Sequence, residues 1–204
     1  MAEIEWWDHD DAVSLGRQLA DDIAFLIGRA VAERGTALVA LATAAAGTTV
    51  LDALARADVP WGAVVVVPTE DDGDRTAAAA LGRRFRPLGG TVVALDQARD
   101  LNWPADVAWL VPGPGGRVAG LAPGPELARA LASPHPIVRT TEGWGLSGSA
   151  LRSAEALLVA VFSETERRRL EAAIDEGASA RLPMGRLLAE CEQAVDIHFA
   201  PAEA

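Results

Sequence analysis

Short apolar runs alternate along this chain with longer amphipathic segments. The runs are rich in valine, alanine and leucine, as is typical of strands buried on both faces of a sheet. They cover residues 36–42, 63–67, 91–95, 107–111 and 156–162, and a more polar run follows at 195–199. Between them apolar residues recur at helical spacing, most clearly over 8–34, where Gly35 ends the predicted helix.

The same spacing predicts six further helices and one irregular region. The helices cover 48–57, 75–85, 125–131, 150–154, 164–176 and 183–190, and the irregular region covers 134–148. Strands that alternate with helices indicate an α/β fold with a mainly parallel, Rossmann-like sheet covered by helices on both faces. No repeat or low-complexity linker appears, so we predict a single domain over residues 1–204. Asp8, Asp10 or Asp11 is expected to cap the first helix.

Composition narrows the classes of function. The 204 residues carry a net charge of −11, which argues against nucleic acids and anionic membrane surfaces as partners. The single cysteine, Cys191, excludes an internal disulfide, and no signal peptide is visible, so we expect a cytoplasmic protein. We expect neither a metal nor a cofactor. The sequence leaves open whether the protein forms a homo-oligomer or a complex with a paralogue.

The glycine-rich stretch 111–124 is the most informative part of the chain. It follows the buried run 107–111, and open α/β sheets bind their ligands at the carboxyl ends of such strands. Glycines at this place let backbone N–H groups approach an anion closely. Gly113 and Gly116 are therefore candidate binding residues, together with Arg117.

Three motifs, in this order, resemble the 6-phosphogluconolactonase family, which belongs with the glucosamine-6-phosphate isomerase/deaminase fold. The loop 41–47 lies in the register of the family's L-S-G-G-S-T-P signature, and the acidic loop 69–72 stands where the family has D-E-R. The stretch 113–124 aligns without a gap to G-x-G-x-D-G-H-x-A-S-L-F-P-G. Segments 182–188 and 195–200 look like the family's closing helix and last strand.

The resemblance implies hydrolysis of 6-phospho-D-glucono-1,5-lactone to 6-phosphogluconate in the pentose phosphate pathway. It also implies a small phosphorylated sugar or lactone as the ligand. Thr48 and Thr49 begin the helix after the first loop, and the N-terminus of a helix is an anion site. The residues placed at the substrate by these motifs are Thr43, Gly47, Thr48, Glu70, Asp71, Gly113, Gly116 and Arg117.

The residues that carry the family's chemistry are replaced in this chain. Arg117 stands at the position of the family's histidine, and Gly115 stands at that of its aspartate. A guanidinium stays protonated in proteins, so Arg117 cannot act as a base near neutral pH. Ala44 replaces a glycine of the phosphate cradle. These losses favour a non-catalytic homologue that binds sugar phosphates, regulates, or partners an active paralogue, over a diverged lactonase.

The charged residues near the motifs each have two interpretations. Arg117 either binds a phosphate bidentately or pairs with Glu70 or Asp71, and we favour the pairing. The loop that carries Glu70, Asp71, Asp72 and Asp74 either holds a divalent cation or is a solvated acidic loop, which is the commoner case.

The histidines and one tryptophan complete the candidates. His9, His135 and His198 show no metal-ligand spacing. His135 lies between two prolines in a loop and is an alternative candidate for the missing base. His198 alternates with apolar neighbours, so we expect it on the outward face of an edge strand. We expect the six tryptophans to serve mainly in packing, and Trp144, which stands beside glycines, is a candidate pocket-lining residue.

Overall fold

Strands and helices alternate along residues 3–202, the part of the chain that this computed structural model describes. The strands are β1 (Ile4–Asp8), β2 (Ala37–Leu41), β3 (Val64–Pro68), β4 (Glu70–Asp71), β5 (Thr91–Val92), β6 (Val107–Leu110), β7 (Ile137–Thr140), β8 (Gly143–Leu146), β9 (Ala156–Val161) and β10 (Val195–Phe199). The helices are α1 (Ala12–Arg34), α2 (Thr48–Leu54), α3 (Thr76–Phe85), α4 (Leu127–Leu131), α5 (Gly148–Ser153), α6 (Glu164–Glu176) and α7 (Pro183–Glu190).

Seven of these strands form one sheet in the order β1-β10-β9-β6-β2-β3-β5, and every neighbouring pair is parallel. Helices α1, α2 and α3 pack on one face, and α4 to α7 pack on the other. Side chains alternate between the two faces along each strand: Val39 faces α1, whereas Leu38 and Ala40 face the opposite layer. The predicted α/β fold with a mainly parallel, doubly covered sheet is confirmed.

None of the helices within residues 3–202 has both the length and the apolar character needed to cross a membrane.

A small antiparallel sheet lies beyond the carboxyl ends of the large one, in the order β4-β8-β7. The prediction of an irregular region at 134–148 is wrong, because this segment contains the β7–β8 hairpin and the start of α5. Gly143 and Gly145 weaken the strand signal of β8, and pairing with β4 stabilises it from outside the segment. The hairpin forms one wall of the candidate site.

The amino-terminal strand β1 is a second feature that the sequence pattern missed. Two glutamates at positions 3 and 5 break its apolar run, so the pattern predicts no strand there and places the start of the first helix at Asp8. Helix α1 begins at Ala12, and Asp11 caps it by accepting a 2.7 Å hydrogen bond from the Ser14 N–H. Strand β1 pairs with β10 along five residues and forms the outer edge of the sheet.

The position of β1 overturns the expectation for His198. Strand β10 lies between β1 and β9, so His198 is not on an edge strand but buried against α1, with 2% of its surface exposed. Its Nδ1 lies 3.1 Å from Nε2 of His9, and its Nε2 lies 3.9 Å from a carboxylate oxygen of Asp22. Burial, and then the charge of His9, lower the pKa of His198 to about 4, against a smaller opposing effect of Asp196.

We predict that the free energy of unfolding falls as the pH is lowered. The folded protein holds His198 neutral, whereas the unfolded chain takes up a proton near the ordinary histidine pKa of about 6.5. The stability from the neutral imidazole is therefore complete above about pH 6.5 and is lost as the pH falls towards the folded pKa. Between these two pKa values, the slope of the free energy of unfolding against pH approaches about 1.4 kcal/mol per pH unit.

Urea unfolding at a series of pH values measures this slope. His198→Asn is expected to flatten it, and His135→Asn, which changes an exposed loop histidine, is the matched control with an unchanged slope. Equal slopes in wild type and His198→Asn would show that His198 titrates normally in the folded state.

Candidate functional site

A cleft of about 270 Å³ lies at the carboxyl ends of β2, β3 and β6. The small sheet, the start of α3 and the glycine-rich loop after β6 surround it. The residues that line it are Thr43, Glu70, Asp71, Asp72, Thr76, Ala77, Ala80, Arg117, Gly120, Thr140, Glu142 and Trp144. This is the edge of the sheet at which open α/β folds bind ligands.

The glycine-rich loop folds back on itself beside the cleft. The N–H of Gly113 donates to the carbonyl of Arg117 over 2.8 Å, and the N–H of Gly116 donates to the carbonyl of Gly113 over 3.1 Å. Two further backbone bonds join Val118 and Leu121 in both directions. The resulting turn presents the Arg117 side chain to the cleft.

The loop then makes close backbone contact with β8. A Cβ atom at Gly120 would lie 2.8 Å from the Cα of Gly145, so neither position has room for a larger residue. The N–H of Leu146 donates to the carbonyl of Ala119 over 3.1 Å, and the N–H of Gly120 donates to a carboxylate oxygen of Glu70 over 2.7 Å. Glu70 therefore joins β4 to the loop while it lines the cleft.

Arg117 forms an ion pair with Glu142, at the turn between β7 and β8. The sequence favoured a carboxylate partner for Arg117 but named Glu70 or Asp71; the observed partner is Glu142, which no motif includes. The hydrogen bond to Glu142 raises the pKa of Arg117 still further, and the same bond lowers the pKa of Glu142. Arg117 is therefore a permanent cation whose charge is balanced by Glu142.

Asp71 is the buried carboxyl group of the cleft. Only 5% of its surface is exposed, and neither carboxyl oxygen has a hydrogen-bond partner within the described residues. Burial raises its pKa, the neighbouring Asp72 raises it too, and the nearby N–H groups of Ala77 and Ala78 on α3 offset part of the rise. The pKa of Asp72 is lowered, mainly by hydrogen bonding to Thr76.

The β7–β8 hairpin covers Asp71 through Gly143. A Cβ atom at Gly143 would lie 2.0 Å from the backbone carbonyl oxygen of Asp71, and Gly143 has φ of +149°. Asp71 also pairs with Trp144 in the β4–β8 ladder. The absence of a side chain at Gly143 therefore permits the close backbone contact between the hairpin and β4 at Asp71.

Four of the eight predicted binding residues line the cleft: Thr43, Glu70, Asp71 and Arg117. Gly113 and Gly116 shape the loop behind it, together with Gly115, and a Cβ at Gly116 would meet the side chain of Leu182 at 2.5 Å. Trp144 lines the cleft as the sequence suggested. The structure brings these residues together, and their role in binding stays a prediction.

Gly47 and Thr48 do not line the cleft. Gly47 packs against the buried ring of Trp109, where a Cβ would lie 2.6 Å from the nearest ring carbon. The hydroxyl of Thr48 donates to the carbonyl of Ala45 over 2.8 Å, and α2 has only seven residues. The Thr48 hydroxyl is therefore engaged within its own turn, and the anion site expected at the start of α2 stays a prediction.

A second cavity of about 430 Å³ adjoins the cleft on the side of α4. The two share Arg117, Gly120, Thr140 and Glu142. Sequence reasoning missed Thr140 and Glu142, because no motif contains them and only the β7–β8 hairpin brings them to Arg117.

The histidines and the acidic loop do not form a metal centre in the part of the chain that is described. Between residues 3 and 202, no three His, Cys, Asp or Glu side chains are grouped so that they could hold a metal ion. His9 and His198 adjoin on the α1 side of the sheet, and His135 is exposed outside the cleft lining.

Solved structures with this fold include 6-phosphogluconolactonases and a glucosamine-6-phosphate deaminase. The enzyme from Shewanella baltica superposes with a TM-score of 0.85 at 20% identity, over 97% of this chain and 98% of its own. A putative 6-phosphogluconolactonase from Neisseria gonorrhoeae gives 0.84 at 17% identity, over 98% and 100%. A monomeric glucosamine-6-phosphate deaminase gives 0.72 at 12% identity, over 97% of each chain. No family model and no curated protein matches the sequence.

The chain has the 6-phosphogluconolactonase fold. Identities of 20% and 17% to those two 6-phosphogluconolactonases show a common fold, and the chemistry of this chain has to be argued from its own cleft. The cleft of this 6-phosphogluconolactonase fold lies where the sequence motifs placed it, but Arg117 is its one cationic lining residue among those described.

We predict that Gly143→Ala destabilises the protein by about 3 kcal/mol, because the new methyl group forces the hairpin away from Asp71. Gly124→Ala is the matched control: Gly124 has the same φ of +149°, and no atom lies within 4 Å of its missing Cβ. The control is expected to lose only the stability that it costs to place alanine at a positive φ, about 1 kcal/mol. Chemical denaturation measures both losses, and equal losses would refute the close approach at Gly143.

Proposed function

We propose that this protein binds a small sugar or sugar lactone in the cleft and does not accelerate lactone hydrolysis. Arg117 carries the proposal. Hydrolysis needs a group that takes a proton from water, and a guanidinium whose pKa is raised by Glu142 cannot do so. No imidazole stands among the described residues that line the cleft.

The lining of the cleft supports a polyhydroxylated ligand. Thr43, Thr76 and Thr140 offer hydroxyl groups, and Glu70 offers a carboxylate that accepts hydrogen bonds from sugar hydroxyls. Trp144 offers an apolar ring. The names of the solved structures with this fold, which include several 6-phosphogluconolactonases, support the same ligand class.

Because Cys191 is buried and unpaired with another cysteine, we include a cytoplasmic location in the proposal.

One observation favours a second candidate function, a lactonase that has changed its base. Asp71 is a buried carboxyl group in the same cleft, and its pKa is raised. A carboxylate with a raised pKa is a general base suited to near-neutral pH. In this alternative, Asp71 takes the proton from water, and Arg117 stabilises the oxyanion that forms on the lactone carbonyl.

Hydrolysis of δ-gluconolactone and its 6-phosphate, followed against the spontaneous reaction, separates the two candidates. We expect wild-type protein to leave both rates within about twofold of the buffer rate, because no histidine is among the described residues that line the cleft. Acceleration by about a hundredfold or more would establish the second candidate instead.

Two variants assign any acceleration that is found. Asp71→Asn abolishes it if Asp71 is the base, and the rate of wild type then rises with pH as Asp71 loses its proton. Asp74→Asn changes an exposed carboxylate of the same loop and leaves the rate unchanged. Acceleration that survives Asp71→Asn would exclude both candidates as stated.

A further inference from the structure

The cleft carries an excess of negative charge. Four carboxyl groups line it, from Glu70, Asp71, Asp72 and Glu142, against the single guanidinium of Arg117. When all are ionised, three negative charges remain uncompensated. The ion pair with Glu142 already balances Arg117, so a phosphate that enters the cleft meets no free cation among its described lining residues.

Asp71 adds an independent observation that points to a ligand. It is more than nine-tenths buried, it lines the cleft, and neither carboxyl oxygen has a hydrogen-bond partner of full geometry within residues 3–202, since the N–H groups of Ala77 and Ala78 lie near it and only offset part of the rise in its pKa. A buried carboxylate without a donor is costly, and a ligand that brings donors removes this cost. The neighbouring Asp72 accepts hydrogen bonds from the Asp74 and Thr76 N–H groups and supplies no donor while it is ionised.

An ammonium group meets both conditions. It has three donors and no acceptor, so it satisfies unpartnered carboxyl oxygens, and its positive charge compensates the excess at the same place. A neutral hydroxyl group supplies a donor but leaves the charge uncompensated. A phosphate supplies acceptors where the carboxylates of Asp71 and Asp72 are already acceptors, and it adds negative charge.

We propose that the cleft selects an amine-bearing polyol without a phosphate, with the ammonium group bound at Asp71 beside Asp72. The inference rests on the proposed function in that it uses the same cleft and the same polyhydroxylated ligand class. It replaces the phosphorylated ligand implied by the sequence motifs with a cationic one. Thr43, Thr140 and Glu70 are then available to form hydrogen bonds with the hydroxyl groups of the polyol.

Three six-carbon polyols that differ only at one terminus test the charge preference. Glucamine is a cation, sorbitol is neutral and gluconate is an anion, and titration calorimetry gives the dissociation constant of each; sorbitol 6-phosphate is the phosphorylated probe. We expect glucamine to bind about tenfold more tightly than sorbitol, and gluconate and sorbitol 6-phosphate more weakly than sorbitol. The preference should shrink as salt is added.

Two variants locate the effect. Asp71→Asn keeps the shape of the buried side chain and is expected to remove about tenfold of the glucamine affinity while sorbitol changes by less than about twofold. Glu142→Gln alters an exposed side chain, releases Arg117, and is expected to shift the preference towards gluconate even if Asp71→Asn does not fold. Asp74→Asn is the control for loss of one acidic residue outside the cleft lining.

The outcomes separate this inference from the proposal on which it rests. Equal binding of glucamine, sorbitol and gluconate would overturn the charge preference and leave sugar binding in place. Tighter binding of gluconate or sorbitol 6-phosphate would overturn it in favour of an anion site. The absence of binding by all four probes would overturn the inference and the sugar-binding proposal together.

Discussion

The close contact between the β7–β8 hairpin and β4 is the constraint on which the candidate site depends. At Gly143 the two backbones are so close that no side chain fits between them. Asp71 lies buried beside this contact, and the same hairpin carries Glu142 to Arg117. If the hairpin were separated from β4, Glu142 would move away from Arg117. The charge distribution of the cleft is thus a consequence of backbone packing.

The large sheet supplies the frame for this contact without determining its chemistry. Parallel strands β2, β3 and β6 end at one edge, and the loops that follow them must meet there. The 6-phosphogluconolactonase fold therefore fixes where the cleft lies. The side chains on those loops decide what the cleft can do, and in this chain they supply four carboxyl groups, one paired guanidinium and no imidazole among the described lining residues.

The sequence predicted the fold because the signals for it are local. Each central strand is an apolar run buried on both faces, and Gly35 and Asp11 mark the ends of α1. The elements that it missed depend on partners elsewhere in the chain. Strand β1 is stabilised by β10, and the β7–β8 hairpin is stabilised partly by β4. His198 was misplaced for the same reason, since only β1 makes its strand internal.

In the candidate site, too, the sequence identified the features with a local signal and missed those that depend on distant parts of the chain. The motifs identified the glycine-rich loop, Arg117, Glu70 and Asp71, because ligand-binding loops at strand ends have a recognisable composition. They also placed Gly47 and Thr48 at the ligand, whereas packing against Trp109 and a local hydrogen bond occupy these residues. Glu142 could not be assigned from the sequence, since its proximity to Arg117 arises from hairpin geometry across 25 positions of the chain.

The most direct test of the account is the titration of the Asp71 carboxyl carbon by NMR, with the resonance assigned through Asp71→Asn. Burial and the neighbouring Asp72 raise the pKa of Asp71 more than the nearby N–H groups of Ala77 and Ala78 lower it, so we expect a pKa above the ordinary aspartate value of about 4. A measured pKa clearly above that value supports the acidic, donor-poor cleft. A pKa at or below it would mean that water or protein donors already satisfy Asp71, and would contradict the account.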